Sequence, residues 1–315
     1  MKDFNHVDAT TVAAAAAELA KGKTQVIAGG TDILTSMKGM VSPNLPETLV
    51  NIKKIPNLAY IKEEGGMLKI GALTTLTTIA KSSVVMNAYK VLAEAAKATA
   101  SPELRNMGTI GGNICQKPRC IYYRNEFNNF PCLRKNPQGL CYALAGVNRY
   151  HSIFGAVNGC VAVCPSDTAP ALVALKAKIV TSKKTWEAAD FFVIKGEQIN
   201  SLDADEIVTE IQVPTPAAGT KSAYRKFAFR KSIDFPLVSA AVVVSGSTAS
   251  IVLGGVHNSP RVATAAQAAV TGAITEAMAE AAGTAAITGA TALAQNGYKR
   301  QIAKILVKRA LLASV

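Results

Sequence analysis

The apolar positions of the first 56 residues switch between strand and helix spacing. Residues 4–7 read as a short strand, and the alanine-rich run 12–20 has helical spacing behind Asp8 or Thr10 as its cap. Residues 25–28 predict a buried strand, Gly29-Gly30-Thr31-Asp32 a sharp turn, 33–37 a helical turn and 48–52 the next strand. That order predicts a small α/β unit.

From residue 57 the pattern changes. Strands at 58–61 and 67–70 flank Glu63-Glu64-Gly65-Gly66 as a β-hairpin. Helical spacing follows at 76–82, 88–99 and 168–175, with strands at 161–163, 177–181 and 206–213. Pro214-Thr215-Pro216 breaks the chain and marks a boundary. Beyond it come strands at 222–229, 237–245 and 249–253, then helices to the end. The last, 299–312, puts Ile302, Ile305 and Leu306 on one face and Lys304, Lys308 and Arg309 largely elsewhere, as an ordinary surface helix does. The fold class is α+β, divided into 1–56, 57–216 with an insertion at 115–164, and 217–315.

Length agrees with more than one unit, because 315 residues exceed what one core usually spans. With 49% apolar residues, disorder is excluded as the main state. The longest apolar stretches, such as 237–244, fall short of the roughly 20 residues a membrane span needs. The first residues lack the apolar core of a secretory signal, so the expectation is a soluble, cytoplasmic protein. A net charge of +13 would suit nucleic acid, but the basic residues are dispersed and aromatics for base stacking are few, so no nucleic-acid partner is expected.

Two glycine elements carry candidate chemistry. Ile27, Ala28, Gly29, Gly30, Thr31, Asp32, Ile33 and Leu34 run from a strand through a tight turn into a helix, where successive free N–H groups suit a diphosphate. This is not the G-x-G-x-x-G dinucleotide fingerprint, so a nicotinamide enzyme does not follow. Gly108-Thr109-Ile110-Gly111-Gly112-Asn113 is a second loop able to grip a long dinucleotide at another point.

All six cysteines, Cys115, Cys120, Cys132, Cys141, Cys160 and Cys164, fall inside about 50 residues. In a large chain without an export signal such crowding favours a metal or cluster site over disulfides. The same window holds Lys117, Arg119, Arg124, Arg134, Lys135 and Arg149 against Glu126 alone, a balance that suits either a negatively charged cluster or a solvated basic loop. A four-cysteine zinc site is the alternative, although no C-x-x-C pair occurs. His6, His151 and His257 make no ligand pattern; His151 is expected at the surface or in packing, with hydrogen bonding to a cluster as the other reading. Tyr122 and Tyr123, beside Cys120, could shield a cluster.

Four motifs then stand in one order: Ala28-Gly29-Gly30-Thr31-Asp32, Thr109-Ile110-Gly111-Gly112-Asn113, Pro165-Ser166-Asp167, and Tyr224-Arg225-Lys226 followed by Arg230 and Asp234-Phe235-Pro236. In that order they resemble the FAD-binding subunit of the molybdenum hydroxylases, the xanthine dehydrogenase family, over essentially the whole chain. The resemblance implies a two-part FAD-binding domain of the vanillyl-alcohol oxidase type followed by an α+β C-terminal domain. It implies that Ile27 to Leu34 wrap the FAD diphosphate and that Thr109, Gly112 and Asn113 form a second clamp. Asp167 would hold the adenosine end or a nearby polar group, with Ile207 or Val208 and Lys226 along the flavin.

Most members of that family lack mid-chain cysteines. The residues flanking Cys120, Cys132, Cys141 and Cys160 resemble the inserted [4Fe-4S] loop of a minority branch that includes aldehyde oxidoreductase and 4-hydroxybenzoyl-CoA reductase. Cys115 and Cys164 are assigned to packing near the flavin. The implied partners are a molybdenum-cofactor large subunit, a [2Fe-2S] small subunit and an external electron acceptor such as NAD, ferredoxin or quinone. The rivals are a free-standing FAD oxidase and a zinc-stabilised basic binding module.

Overall fold

The computed structural model describes residues 1–315. The first sheet is parallel, in the order β1 (Asn5–Asp8), β3 (Thr48–Asn51), β2 (Thr24–Ile27). Parallel neighbours need crossovers, and the helices Val12–Ala20 and Ile33–Lys38 supply them. The cap of the first helix is Thr11, whose Oγ1 accepts from the Ala14 amide at 3.0 Å, rather than Asp8 or Thr10. Asp8 is unavailable because it belongs to β1, where its carboxylate accepts from Asn51 and pairs with Lys54.

The second sheet is antiparallel, in the order β4 (Ile61–Glu64), β5 (Met67–Gly71), β8 (Val208–Pro214), β6 (Lys178–Thr181), β7 (Thr185–Glu187). Its hairpin turn is Gly65-Gly66 alone, at φ 60° and 71°, so Glu63 and Glu64 are strand residues and not turn residues as expected. Two consecutive left-handed residues favour glycine and match the strand twist. The expected helix 88–99 is Lys90–Ala98, and a separate short helix, Ser83–Ala88, precedes it; the chain bends between them at Tyr89, whose ring is completely buried. Residues 161–163 form no strand: Val161 O accepts from the Ser152 amide and Ala162 O from Asn258 Nδ2 at 2.6 Å, so other partners replace a ladder.

The third sheet is antiparallel, in the order β12 (Arg261–Val262), β11 (Thr248–Gly254), β10 (Val238–Ser245), β9 (Lys221–Phe227). Both faces of β10 are covered, which accounts for its unbroken apolar run: Ala241 faces the core of the second sheet, whereas Val238, Ala240, Val242 and Val244 meet the helices Glu276–Ala285 and Tyr298–Leu312. In the last helix the buried stripe is Ala303, Leu306, Val307, Ala310 and Leu311, with Ile302 and Ile305 only half-buried. Lys304 and Lys308 are drawn to one side by Glu280 and Glu276.

Lys299 opens that helix fully buried, its Nζ donating to Gly255 O at 2.6 Å, His151 O at 2.9 Å and Tyr150 O at 3.2 Å with no carboxylate partner. Burial pushes its ammonium down to about 7 from an ordinary value of 10.5. Between those values the unfolded chain binds a proton that the folded chain lacks, so stability rises with pH across that window. Relative to Lys299→Met, the wild type should therefore gain in urea midpoint on going from neutral pH toward pH 10.5. A difference that stays constant over the window would contradict this.

Candidate functional site

The first glycine element leaves β2 and turns into the helix Ile33–Lys38. The amides of Gly29, Gly30, Thr31 and Asp32 donate to no acceptor in the chain, which leaves a row of free N–H groups of the kind that cradles an anion. Gly30 is required by its φ of 73°. Gly29 is required by packing: a Cβ there would lie 2.1 Å from Met107 O. The two glycine elements meet here, since a Cβ on Gly108 would approach Thr31 Oγ1 at 3.7 Å.

The second element is built differently from the open loop expected. Ile110–Cys115 is a short helix capped by Thr109, whose Oγ1 accepts from the Gly112 amide at 3.1 Å. The amides of Ile110 and Gly111 donate to Thr74 O and Ala72 O, so the backbone donors of this element are already used. Asn113 supplies a side-chain donor instead. Its Oδ1 accepts from Ser166 Oγ at 2.6 Å and Thr168 Oγ1 at 2.7 Å, which fixes the amide plane and leaves Nδ2 free.

Asp167 is 2% exposed and binds Tyr224 Oη at 2.6 Å and Lys226 Nζ at 2.8 Å. Burial raises its carboxyl, and Lys226 and Tyr224 oppose that rise. Lys226 also donates to Ala98 O at 2.9 Å. Ile207 lies elsewhere, in the N-terminal core with Val26 and Ala28, and Val208 turns into the larger core.

Residues 116–167 carry no regular structure beyond one turn at Glu126–Asn128. Cys120, Cys132, Cys141 and Cys160 nevertheless line one small cavity, together with Tyr122, Tyr123, Leu133, Arg134, Tyr142, Ala143 and Ala162. Cys164 is buried in the large core and Cys115, half-buried, packs against it; burial pushes both thiols up to about 12. Burial also raises Cys120, to about 12, and Cys141. Backbone N–H groups aim at the sulfurs: Tyr122 and Tyr123 at Cys120, Ala143 and Leu144 at Cys141, and Ala162 at Cys160 at 3.4 Å. No three ligand-type side chains converge at the spacing of a single metal ion. Four thiols around one cavity are the number that an all-cysteine cluster takes, one per iron.

Residues 2–216 match the FAD binding domain in molybdopterin dehydrogenase, and residues 222–314 match the CO dehydrogenase flavoprotein C-terminal domain. The chain belongs to the FAD-binding subunits of the molybdenum hydroxylases. As such it is part of an oxidoreductase. This FAD-binding subunit is 34% identical over 271 residues to the aldehyde oxidoreductase FAD-binding subunit PaoB of Escherichia coli (strain K12), covering 82% of this chain and 83% of that one. It is 32% identical to the carbon monoxide dehydrogenase medium chain of Hydrogenophaga pseudoflava over 72% of this chain and 63% of that one. Among solved structures it resembles carbon monoxide dehydrogenase from H. pseudoflava lacking the Mo-pyranopterin moiety, with a TM-score of 0.75, 30% identity, and coverage of 99% and 97%. No helix is long and apolar enough to cross a membrane.

In the FAD-binding subunit three cations of the cysteine window are paired by two acids outside it. Asp32 accepts from Arg119 Nη2 and Arg124 Nη2, each at 2.7 Å, and from the Lys117 amide at 3.1 Å. Glu197 pairs with Lys117 at 3.2 Å and accepts from Tyr123 Oη at 2.7 Å. Against burial, which would raise it, Lys117 and the hydroxyls of Ser42 and Tyr123 hold the Glu197 carboxyl below its ordinary value. Arg134 and Lys135 remain, 5% and 7% exposed, with no carboxylate partner. Of the tyrosines, Tyr122 joins Phe130 and Tyr142 in an aromatic group at centroid distances of 5.1 to 6.0 Å.

His151 is not a surface residue: it is 2% exposed and its Nε2 lies 3.1 Å from Cys120 Sγ. Burial and the neighbouring Lys299 push its imidazole down to about 4. Glu197, Asn296 and Lys299 have no motif around them, and nothing in the sequence singles them out. A larger cavity of about 430 Å³ adjoins the cysteines and is lined by Arg119, Cys120, His151, Phe229, Arg230 and Phe235 among others.

Proposed function

We propose that this FAD-binding subunit is an electron-transfer junction holding FAD and a [4Fe-4S] cluster. Its partners would be a molybdenum-cofactor large subunit and a [2Fe-2S] small subunit, with NAD, ferredoxin or a quinone as the external carrier. One observation carries the reading: cysteines scattered from 120 to 160 line a single cavity, and Arg119 and Arg124 in that loop bind Asp32 of the diphosphate turn. FAD, when bound, exchanges electrons singly or in pairs, and a cluster passes them one at a time.

The chain's own residues bind, orient and exclude water. The free amides from Gly29 to Asp32 would hold the diphosphate, with Asn113 Nδ2 as a second donor. Ile207, beside Ala28, would offer an apolar wall, while Lys226 and Asp167 neutralise each other at the polar end. Cys120, Cys132, Cys141 and Cys160 would be the cluster ligands, with Arg134 and Lys135 offsetting negative charge and the Tyr122, Phe130 and Tyr142 rings keeping water out.

Metal, flavin and mass-spectrometric analysis of the natively purified complex tests the reading. Expected are one FAD and about four irons on this chain, together with a molybdenum-containing subunit and a smaller iron-sulfur subunit. A stable monomer that turns over an organic substrate unaided would overturn it. Gly30→Val, strained at a φ of 73°, should strip most of the flavin while far-UV circular dichroism stays near wild type. Full flavin content in that variant would remove the diphosphate assignment.

A further inference from the structure

We infer that His151 is a positioning residue for the cysteine site: its Nε2–H donates to Cys120 Sγ and thereby sets how readily a cluster held there accepts an electron. The inference rests on the cluster reading above. The observation behind it is the 3.1 Å approach of a buried imidazole to one of the four cavity-lining sulfurs. A ligating thiolate only accepts hydrogen bonds, so the ring presents its proton on Nε2, and Nδ1 has no partner that would compete for it.

The ring is held from outside the loop. His151 O accepts from Asn296 Nδ2 at 3.1 Å and Lys299 Nζ at 2.9 Å, and the adjoining Ser152 O accepts from Asn296 Nδ2 at 2.9 Å. Both donors are fully buried and come from the C-terminal part of the chain. Burying a lysine without a counter-ion is costly, and an apolar residue would fill the same space at lower cost. What Lys299 and Asn296 do provide is a fixed backbone beneath one imidazole. The other contacts on these sulfurs are backbone amides, apart from Arg134 Nη1, a distant 3.9 Å from Cys160 Sγ.

Adding one electron to a cluster breaks no bond and makes its sulfurs more negative. A donor aimed at a sulfur stabilises that reduced form, so hydrogen bonds to sulfur raise the reduction potential. Cys120 and His151 also line the 430 Å³ cavity, which places this bond between the cysteine site and that open space.

The test is an EPR-monitored redox titration of the full chain with dithionite as reductant. His151→Phe keeps ring bulk and removes the donor; it should retain iron and lower the one-electron reduction equilibrium about tenfold, a fall of about 59 mV. His151→Gln restores an N–H donor and should return most of the way to wild type. Asn296→Ala removes one of the two donors on the His151 carbonyl without touching Cys120, and should shift the potential in the same direction by less; it is the deciding variant should His151→Phe fail to hold iron, and an unchanged potential in it would then overturn the inference. An unchanged potential in His151→Phe, or a glutamine variant as low as the phenylalanine one, would overturn the inference. A wild-type chain without iron would instead sink the cluster reading on which it rests.

Discussion

Single replacement of Cys120, Cys132, Cys141 or Cys160 by serine is expected to strip most of the iron from this chain, whereas Cys115→Ser and Cys164→Ser should leave about four irons per chain. The division follows from where the six thiols lie. Four line one cavity, with backbone N–H groups directed at three of them. Cys164 is embedded in the large core and Cys115, half-buried, packs against it, and neither lines the cavity. In the core pair a buried hydroxyl without a partner costs about 1–3 kcal/mol. The two groups of variants should thus separate in iron content. Iron analysis and urea unfolding on the same samples read both. Iron lost from Cys115→Ser but retained in Cys160→Ser would show that the fourth ligand is misassigned. Zinc in place of iron would remove the electron-transfer role of the loop.

Asp32→Ala should lose flavin and iron together. Its carboxylate is the meeting point of two guanidinium groups and the Lys117 amide, each from the cysteine loop, while its own backbone forms part of the diphosphate turn. All three side chains are less than a quarter exposed, and removing one partner of a buried ionic group costs up to about 3–5 kcal/mol because the other charges are left unpaired. That is comparable to a sizeable part of the 5–15 kcal/mol stabilising a typical domain, enough to detach the loop without unfolding the sheets. Asp32→Asn, still able to accept one hydrogen bond, should fall between the two. Flavin and iron contents together with limited proteolysis between residues 116 and 167 are the measurements. Flavin lost with iron intact would mean that Asp32 serves the nucleotide turn alone and does not tie the two sites.

The sheets were legible in the sequence because the strands carry period-two burial or unbroken apolar runs, and the glycines mark turns with real left-handed φ values, as at Gly30 and Gly65-Gly66. The misread elements share a cause, since their shape is decided by partners distant along the chain. The Val161–Val163 segment looks like a strand by composition, yet Asn258 and Ser152 take its carbonyls. Gly111-Gly112 looks like a phosphate loop, yet Ala72 O and Thr109 Oγ1 claim its amides. The short helix Ser83–Ala88, absent from the expected elements, stops at Tyr89, whose ring is buried in the core. Within the site, residue type singled out the cysteines that line the cavity, but the acids that pair with the loop could not be found by local charge. Asp32 lies 85 residues before Lys117 and Glu197 lies 80 after it. His151 was ambiguous for the same reason, as its environment is set by Asn296 and Lys299.

That last distance has a consequence for how the protein matures in the cell. The cysteine loop leaves the ribosome well before the residues that clamp it: Asn296 and Lys299 follow His151 by 145 and 148 positions. Ile153 and Cys164 likewise wait for the carbonyls of Val256 and His257. Until the last helix is synthesised and docked, the loop has no regular structure of its own to hide its thiols, and they stay open to oxidation and to the wrong metals. If the cysteines are loaded as proposed, loading is expected late, on a nearly finished chain, and truncations before residue 296 should yield protein whose cysteines react freely with alkylating reagents.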